Sequence, residues 1–263
     1  MSSANRESPQ IFPSAAELAA ELLAQLRSLS AEAIAARGSF HVALSGGSLP
    51  EILANAILDP VDASGHRKPR LDVSAWHWWF ADERCVKRDD DDSNFAEAKK
   101  KLFTFLPAIE PARMHAIDES KCDAPADAAR AYESELHRVL PDGVLDCVLL
   151  GMGPDGHCCS LFPGHALLEY SDALIAPITD SPKPPPCRIT FTYPLLTRAR
   201  ASIFVITGAG KAEALKTVIN QRNSKVEPQS KEFKEFLPSA RVRSQRTMFL
   251  VDKAAAAQLE ARL

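Results

Sequence analysis

The sequence has no long uninterrupted run of apolar residues. No stretch approaches the roughly 18 apolar residues that a membrane-spanning helix needs. Residues 1–13 carry no apolar segment of the signal-peptide type. We therefore predict a protein that is made and kept in the cytoplasm and that has no membrane partner.

A surplus of positive charge is absent as well. The chain carries 31 Lys and Arg against 34 Asp and Glu, which gives a formal net charge of −3. Dedicated nucleic-acid-binding proteins usually have a basic surface, so we expect no nucleic-acid partner. A small anionic substrate remains compatible with this balance, because a few local cations are enough to bind it.

Signals for disulfides, metals and cofactors are also missing. The six cysteines form no CxxC pair and no spacing typical of a small disulfide-bonded domain, which predicts reduced thiols. Cys158 and Cys159 follow His157, but no second ligand pair accompanies them, so we predict no metal. The dinucleotide fingerprint GxGxxG is absent, and we predict no cofactor.

Apolar runs alternate with amphipathic segments along most of the chain. The runs predict strands at Phe40–Leu44, Trp76–Ala81, Leu145–Leu150, Arg188–Thr192, Ala201–Thr207 and Thr247–Val251. Helices are predicted from Ser14 for about 20 residues, after a capping Ser48, and over Ser93–Leu106, Pro125–Leu140, Ala209–Gln221 and Lys253–Leu263.

This alternation predicts an α/β fold with an open, largely parallel sheet and helices on both faces. Residues 180–186 contain four prolines and are predicted to form a stiff connection. The polar stretch 222–246 gives no clear pattern beyond a short helix near Phe233. We find no internal repeat and no linker, and therefore predict a single domain over residues 1–263.

Ligands of such folds bind beyond the carboxyl ends of the strands, and the first loop there suits an anion. It contains Ser45, Gly46, Gly47 and Ser48. Glycines let the backbone approach a ligand closely, and the following helix offers free N–H groups. The loop therefore predicts a phosphate subsite, although a tight turn without a ligand is an open alternative.

Charged residues follow the aromatic strand. Arg84 can bind phosphate through two N–H groups, and an acidic neighbour such as Asp82 can hold the guanidinium in place. The alternative is a surface ion-pair cluster of little energetic value.

The third loop delivers a histidine. Residues 151–157 contain three glycines, including Gly153, and a proline, which fix the backbone path before His157. A histidine near its normal pKa can take a proton from water near neutral pH. We predict that His157 is a general base and that Asp155 orients it or contacts the substrate.

The fourth loop places a lysine at the start of a helix. Lys211 follows Gly208 and Gly210, and a cation is unfavourable beside the positive end of the helix dipole. A bound anion would relieve this penalty, although an ordinary surface lysine is the alternative. Arg188 is a weaker candidate for the same role.

Together these residues resemble the 6-phosphogluconolactonase family, part of the glucosamine/galactosamine-6-phosphate isomerase superfamily. The resemblance covers residues 12–259, and its motifs are LSGGS at 44–48, DER at 82–84, GMGPDGH at 151–157 with SLFP at 160–163, and SPKPP at 181–185. It implies a modified Rossmann-type α/β fold without a metal. It also implies hydrolysis of 6-phospho-D-glucono-1,5-lactone to 6-phosphogluconate, the second step of the oxidative pentose phosphate pathway.

The resemblance assigns roles to three of these residues. His157 corresponds to the general base, and Arg84 and Lys211 correspond to the cations that bind phosphate. Glucosamine-6-phosphate deaminase is a rival, but it places a glutamate five positions after the histidine, where this chain has Phe162. A sugar-phosphate sensor without catalytic activity is a second alternative.

The last three residues, Ala261, Arg262 and Leu263, resemble a peroxisomal targeting tripeptide. As a targeting signal they predict an import receptor as a partner, and residence in peroxisomes or glycosomes in addition to the cytoplasm; a chance match of three residues is the alternative.

Overall fold

The computed structural model describes residues 8–106 and 109–259. In chain order its elements are β1 (Gln10–Phe12), α1 (Ala15–Arg37), β2 (Phe40–Leu44), α2 (Leu49–Ile57), β3 (Trp76–Phe80), β4 (Asp82–Arg84), α3 (Asn94–Lys101), α4 (Pro125–Val139), β5 (Cys147–Leu150), β6 (Ile175–Ile178), β7 (Arg188–Phe191), α5 (Tyr193–Arg198), β8 (Ala201–Ile206), α6 (Ala212–Arg222), α7 (Lys231–Lys234), α8 (Pro238–Arg241) and β9 (Arg246–Asp252).

A six-stranded parallel sheet forms the centre of the fold. Its strand order is β1-β9-β8-β5-β2-β3, and each neighbouring pair runs parallel. The predicted largely parallel sheet is therefore confirmed. Because the strands are parallel, all their carboxyl ends lie at the same edge of the sheet.

Helices cover both faces of this sheet, as predicted. Val42 and Leu44 pack with side chains of α1 and α2, whereas Ala43 between them packs with side chains of α4 and α6. Successive residues of a strand point to opposite faces, so the two sets form separate hydrophobic clusters. This explains why the central strands are mostly apolar on both faces.

A second, three-stranded antiparallel sheet was not predicted. Its order is β4-β7-β6. The sequence predicted a loop at Asp82–Arg84, but these residues form β4, one residue after β3 ends. The predicted strand at Arg188 does exist, and it pairs with β4 instead of joining the central sheet.

The capping predictions had different outcomes. Ser14 caps α1, since its hydroxyl accepts a hydrogen bond from the Glu17 N–H at 3.2 Å. Ser48 precedes α2 as predicted, but its side chain makes no capping hydrogen bond.

The predicted terminal helix over Lys253–Leu263 is wrong for residues 253–259, which form turns. Backbone hydrogen bonds here include some that span three residues, from Ala257 to Ala254 and from Leu259 to Ala256. The tripeptide at 261–263 lies outside the described residues. In the described part of the chain, no helix is both long and apolar enough to cross a bilayer.

Candidate active site

A cleft of about 290 Å³ lies at the carboxyl ends of β2, β5 and β8. Residues from all four segments that were predicted to form the site line this cleft. The predicted site residues that line it are Ser45, Gly46, Gly47, Ser48, Asp82, Arg84, Gly153, His157, Arg188 and Lys211. Asp155 does not line the cleft and instead contacts His157.

The His157 imidazole is held by a short hydrogen bond. Its Nδ1 lies 2.5 Å from Oδ1 of Asp155. The loop closes on itself, because the Gly153 N–H donates to the His157 carbonyl at 2.9 Å. A Cβ atom on Gly153 would lie only 1.9 Å from Nδ1 of His157, so only glycine leaves room for the ring. The bond to Asp155 fixes the ring and leaves Nε2 as the nitrogen available to water.

Helix α8 supports this loop from behind. The carbonyl of Gly156 accepts hydrogen bonds from the Ser239 N–H at 3.0 Å and from the Ser239 hydroxyl at 2.9 Å. Gly156 has φ +79°, a conformation that favours glycine, and a Cβ there would lie 2.8 Å from Leu237. Part of the unassigned stretch 222–246 therefore positions the histidine loop, and the sequence analysis missed this.

Lys183 is a further charged residue of the cleft that the sequence analysis missed. Its Nζ lies 3.3 Å from Oδ2 of Asp155 and 3.1 Å from Nδ1 of His157. The proline-rich segment carries it there. A lysine between prolines in a segment with a fixed path was the signal that could have found it.

Arg188 holds the proline-rich segment in place. Its guanidinium donates hydrogen bonds to the carbonyls of Lys183 at 2.8 Å, Pro184 at 2.9 Å and Pro185 at 2.9 Å. The side chain of Arg188 is buried, and Nη1 also lies 3.3 Å from the Ser160 hydroxyl. Arg188 thus lines the cleft, but most of its donors bind the protein.

The sequence analysis predicted that an acidic neighbour holds the Arg84 guanidinium, but the hydrogen bonds of Asp82 and Glu83 go to other groups. Asp82 accepts a hydrogen bond from the Ser160 hydroxyl at 2.8 Å. Glu83 accepts from the backbone N–H groups of Arg84 at 2.8 Å and Asn94 at 2.7 Å. Burial raises the pKa of Glu83 to about 7, against the effect of these hydrogen bonds. Arg84 is therefore held through its backbone by Glu83.

One nitrogen of the Arg84 guanidinium has no protein partner within the described part of the chain. Its Nη1 donates to the Asp92 carbonyl at 2.6 Å, whereas Nε is buried and has no hydrogen-bond partner among the described residues. Arg84 and Gly46 both line the cleft, and the missing side chain of Gly46 makes room for Asn94.

The charge state of the His157–Asp155 pair suits proton transfer. Burial lowers the pKa of His157, the Lys183 ammonium lowers it further, and the Asp155 carboxylate partly opposes both. Burial alone would raise the pKa of Asp155, but the hydrogen bond to His157 and the charges of His157 and Lys183 outweigh it, so its pKa lies below the usual value. A neutral imidazole next to a carboxylate can accept a proton at neutral pH.

Four cations converge on the cleft: Arg84, Lys183, Arg188 and Lys211. Burial, followed by repulsion from Lys183, lowers the pKa of Lys211. Burial, followed by repulsion from Arg84, lowers the pKa of Arg188. A bound anion would relieve both repulsions, so the arrangement favours a negatively charged ligand. Within the described residues, no group of three or more His, Cys, Asp or Glu side chains is placed to hold a metal ion.

A family model described as glucosamine-6-phosphate isomerases/6-phosphogluconolactonase matches residues 13–250. The chain belongs to this family. The resemblance inferred from the four motifs is therefore confirmed.

Individual relatives agree with this assignment. A probable 6-phosphogluconolactonase of Schizosaccharomyces pombe is 40% identical over 263 residues, covering 95% of each chain. The human 6-phosphogluconolactonase is 38% identical over 216 residues, covering 81% of each chain.

Solved structures share the fold. The 6-phosphogluconolactonase of Thermotoga maritima superposes with a TM-score of 0.75 at 23% identity, covering 94% of this chain and all of that one. A structure described as devB protein gives a TM-score of 0.73 at 28% identity, covering 96% of this chain and 99% of that one.

Proposed function

We propose that this protein hydrolyses 6-phospho-D-glucono-1,5-lactone to 6-phospho-D-gluconate, the second step of the oxidative pentose phosphate pathway. The main support is one geometric fact: an imidazole, oriented by a carboxylate, faces the same cleft as four cations. Relatives that match 81% or more of the chain carry the name 6-phosphogluconolactonase.

In this proposal the phosphate of the substrate binds Arg84 and Lys211. The N–H groups around Gly46, Gly47 and Ser48, at the start of α2, add donors and a favourable dipole. Binding the phosphate at one end of the cleft places the lactone carbonyl near His157, which makes the reaction effectively intramolecular.

His157 then acts on water. Nε2 takes a proton from a water molecule while its oxygen attacks the lactone carbonyl carbon. The carbonyl oxygen becomes an oxyanion, which the nearby cations stabilise. When the intermediate collapses, the bond to the ring oxygen breaks, and that oxygen takes the proton from the imidazolium. The product acid loses its own proton to solvent at neutral pH.

Asp155 keeps Nδ1 protonated and stabilises the transient imidazolium. Lys183 neutralises Asp155 and opposes protonation of His157 in the resting state. We also propose that the chain works as one domain, because the cleft combines side chains from residue 45 to residue 211.

The isomerase and deaminase alternative is less well supported. That chemistry needs a carboxylate five positions after the histidine, and Phe162 occupies this position. The Phe162 ring is buried, and its centroid lies 4.8 Å from that of His157. It increases the apolar surroundings of the imidazole and offers no proton-transfer group.

A proton-release assay on freshly prepared 6-phosphogluconolactone tests the proposal. His157→Ala should lower the enzymatic rate by about 10² or more, since a positioned base contributes roughly 10²- to 10⁴-fold. The matched control is His66→Ala, which removes an exposed histidine that does not line the cleft. Equal rates for the native chain and His157→Ala would contradict the proposed role.

Thermal unfolding with 6-phosphogluconate separates catalysis from binding alone. The product should stabilise both the native chain and His157→Ala, because the phosphate cations remain. Stabilisation without any acceleration of lactone opening by the native chain would instead identify a sugar-phosphate sensor.

A further inference from the structure

Three of the six cysteines lie close together at one end of the β4–β7 strand pair. Cys85 directly follows β4, Cys187 directly precedes β7, and Cys122 lies beside Cys85. All three are free thiols and partly exposed, unlike the buried Cys147, Cys158 and Cys159. The proposed hydrolysis uses none of them.

Cys85 and Cys187 are cross-strand neighbours. In the antiparallel pairing of β4 with β7, Arg84 lies opposite Arg188. The Cys85 N–H donates to the Cys187 carbonyl at 2.9 Å, which extends the same register by one pair. Opposed residues of this kind have Cα atoms about 5.5 Å apart and side chains on the same face. That separation is within the range of about 4.4–6.8 Å found for disulfides.

The ends of the two strands leave room for closure. Neither Cys85 nor Cys187 lies inside a strand, and each adjoins an irregular segment of the chain. Closing a disulfide brings opposed Cβ atoms from about 5 Å to about 3.8 Å. Arg188 holds the proline-rich segment before Cys187 in place, so most of this shift falls on Cys85 and the irregular residues that follow it.

We propose that Cys85 and Cys187 form an oxidation site at which a hydroperoxide closes a cross-strand disulfide. The Cys187 thiolate attacks the terminal peroxide oxygen and becomes a sulfenic acid, while the other oxygen leaves as water or an alcohol. The Cys85 thiol then displaces water from this sulfur and loses its proton. Two thiols are oxidised by two electrons, and the peroxide is reduced.

The order of attack follows from the surroundings of the thiols. Burial raises the pKa of Cys85 to about 12, and burial also raises the pKa of Cys122. Both remain protonated at neutral pH, and a protonated thiol is a poor nucleophile. Cys85 therefore acts second, on the sulfenic acid formed at Cys187.

Closure acts on two of the four cations of the cleft, and this part rests on the proposed function. Arg84 and Arg188 are each one residue from a cysteine of the pair and lie opposite one another. Drawing the strand ends together moves both guanidinium groups. A displacement of about 1 Å can cost up to about 10²-fold in rate, so we expect KM for the lactone to rise about tenfold on oxidation and to recover with dithiothreitol.

Disulfide mapping of the full-length native protein tests the site without using its activity. The protein is treated with hydrogen peroxide, free thiols are blocked with maleimide, and digested peptides are analysed by mass spectrometry. A peptide pair linked through Cys85 and Cys187, lost after dithiothreitol, is expected. A link between Cys85 and Cys122, or only sulfinic acids, would overturn the proposal.

Three variants sharpen the result. Cys85→Ser and Cys187→Ser should each prevent the linked pair, whereas the matched control Cys122→Ser should retain it. Mapping of the native chain decides the question even if a variant does not fold. A confirmed disulfide with unchanged binding of 6-phosphogluconate would refute only the effect on Arg84 and Arg188.

Discussion

At the scale of single residues, the His157 imidazole depends on the absence of a side chain at Gly153. A Cβ there would overlap both Nδ1 of His157 and, at 2.4 Å, Oδ1 of Asp155. Displacing either atom breaks the hydrogen bond that orients the base.

We therefore expect Gly153→Ala to lower kcat by about 10²-fold, comparable to loss of a positioned base. Steady-state kinetics of lactone hydrolysis would measure this. Gly210→Ala is the matched control, since a Cβ at Gly210 meets no atom within 4 Å and should leave kcat unchanged. Full activity in Gly153→Ala would show that the ring does not need its present position.

Lys183 sets the proton affinity of the same imidazole. Its ammonium lowers the pKa of His157, so Lys183→Met should raise that pKa. As pH falls, the variant should then lose kcat/KM at a higher pH than the native chain. Lys211→Met is the comparison, because it should raise KM without changing the pH at which kcat/KM falls to half in acid. Identical acid midpoints in the native chain and Lys183→Met would contradict this role.

At the scale of elements, β2 and β3 carry a buried histidine network at the opposite end of the central sheet from the cleft. His41 of β2 stacks on His77 of β3 with centroids 4.3 Å apart, and its Nδ1 accepts a hydrogen bond from Trp79 at 3.3 Å. Nδ1 of His77 lies 2.9 Å from Nε2 of His115. The charged groups that face this network are Arg37, Glu110, Arg113, Glu135, Arg138 and Asp146.

These surroundings disfavour protonation. Burial, followed by the neighbouring histidines and Arg113, lowers the pKa of His41 to about 3. Burial and the same kinds of neighbour lower the pKa of His77 to about 4. An unfolded histidine titrates near 6.5, so below that pH the unfolded state binds more protons than the folded state.

The free energy of unfolding should therefore fall as pH drops from about 6.5 to about 4, by up to about 1.4 kcal/mol per pH unit for His41 and by less for His77, which solvent screens more. Urea unfolding at a series of pH values would measure it. His77→Gln should weaken the dependence, whereas His66→Gln, at an exposed site, should not. Equal stability of the native chain at pH 7 and pH 5 would contradict the argument.

At the scale of the whole molecule, the candidate site was largely predictable because of how a parallel sheet is built. Each strand that precedes a site loop is an apolar run followed by glycines or charges. The carboxyl ends of parallel strands share one edge, so the segments that begin at residues 45, 82, 151 and 207 had to lie near one another.

The rest of the site depends on packing that the sequence pattern does not contain. Strands β4 and β6 are only three and four residues long, and β4 is entirely charged. Neither therefore shows the alternation of apolar and polar residues from which a strand can be predicted. The contact of Lys183 with His157 joins residues 26 positions apart through the path of a proline-rich segment. Ser239 supports Gly156 across 83 positions in a stretch without periodicity.

The central claim is that His157 takes a proton from water in a cleft that binds a phosphorylated lactone. The most direct test is the pH dependence of kcat/KM for lactone hydrolysis by the native chain and by His157→Gln, corrected for spontaneous opening. The native chain should lose activity in acid with a midpoint below about 6.5, the ordinary histidine value. The kcat/KM of His157→Gln should be about 10²-fold or more lower than that of the native chain, and it should not fall in acid as the native value does. If both proteins had the same kcat/KM at neutral pH and the same loss of kcat/KM in acid, the mechanism would be contradicted.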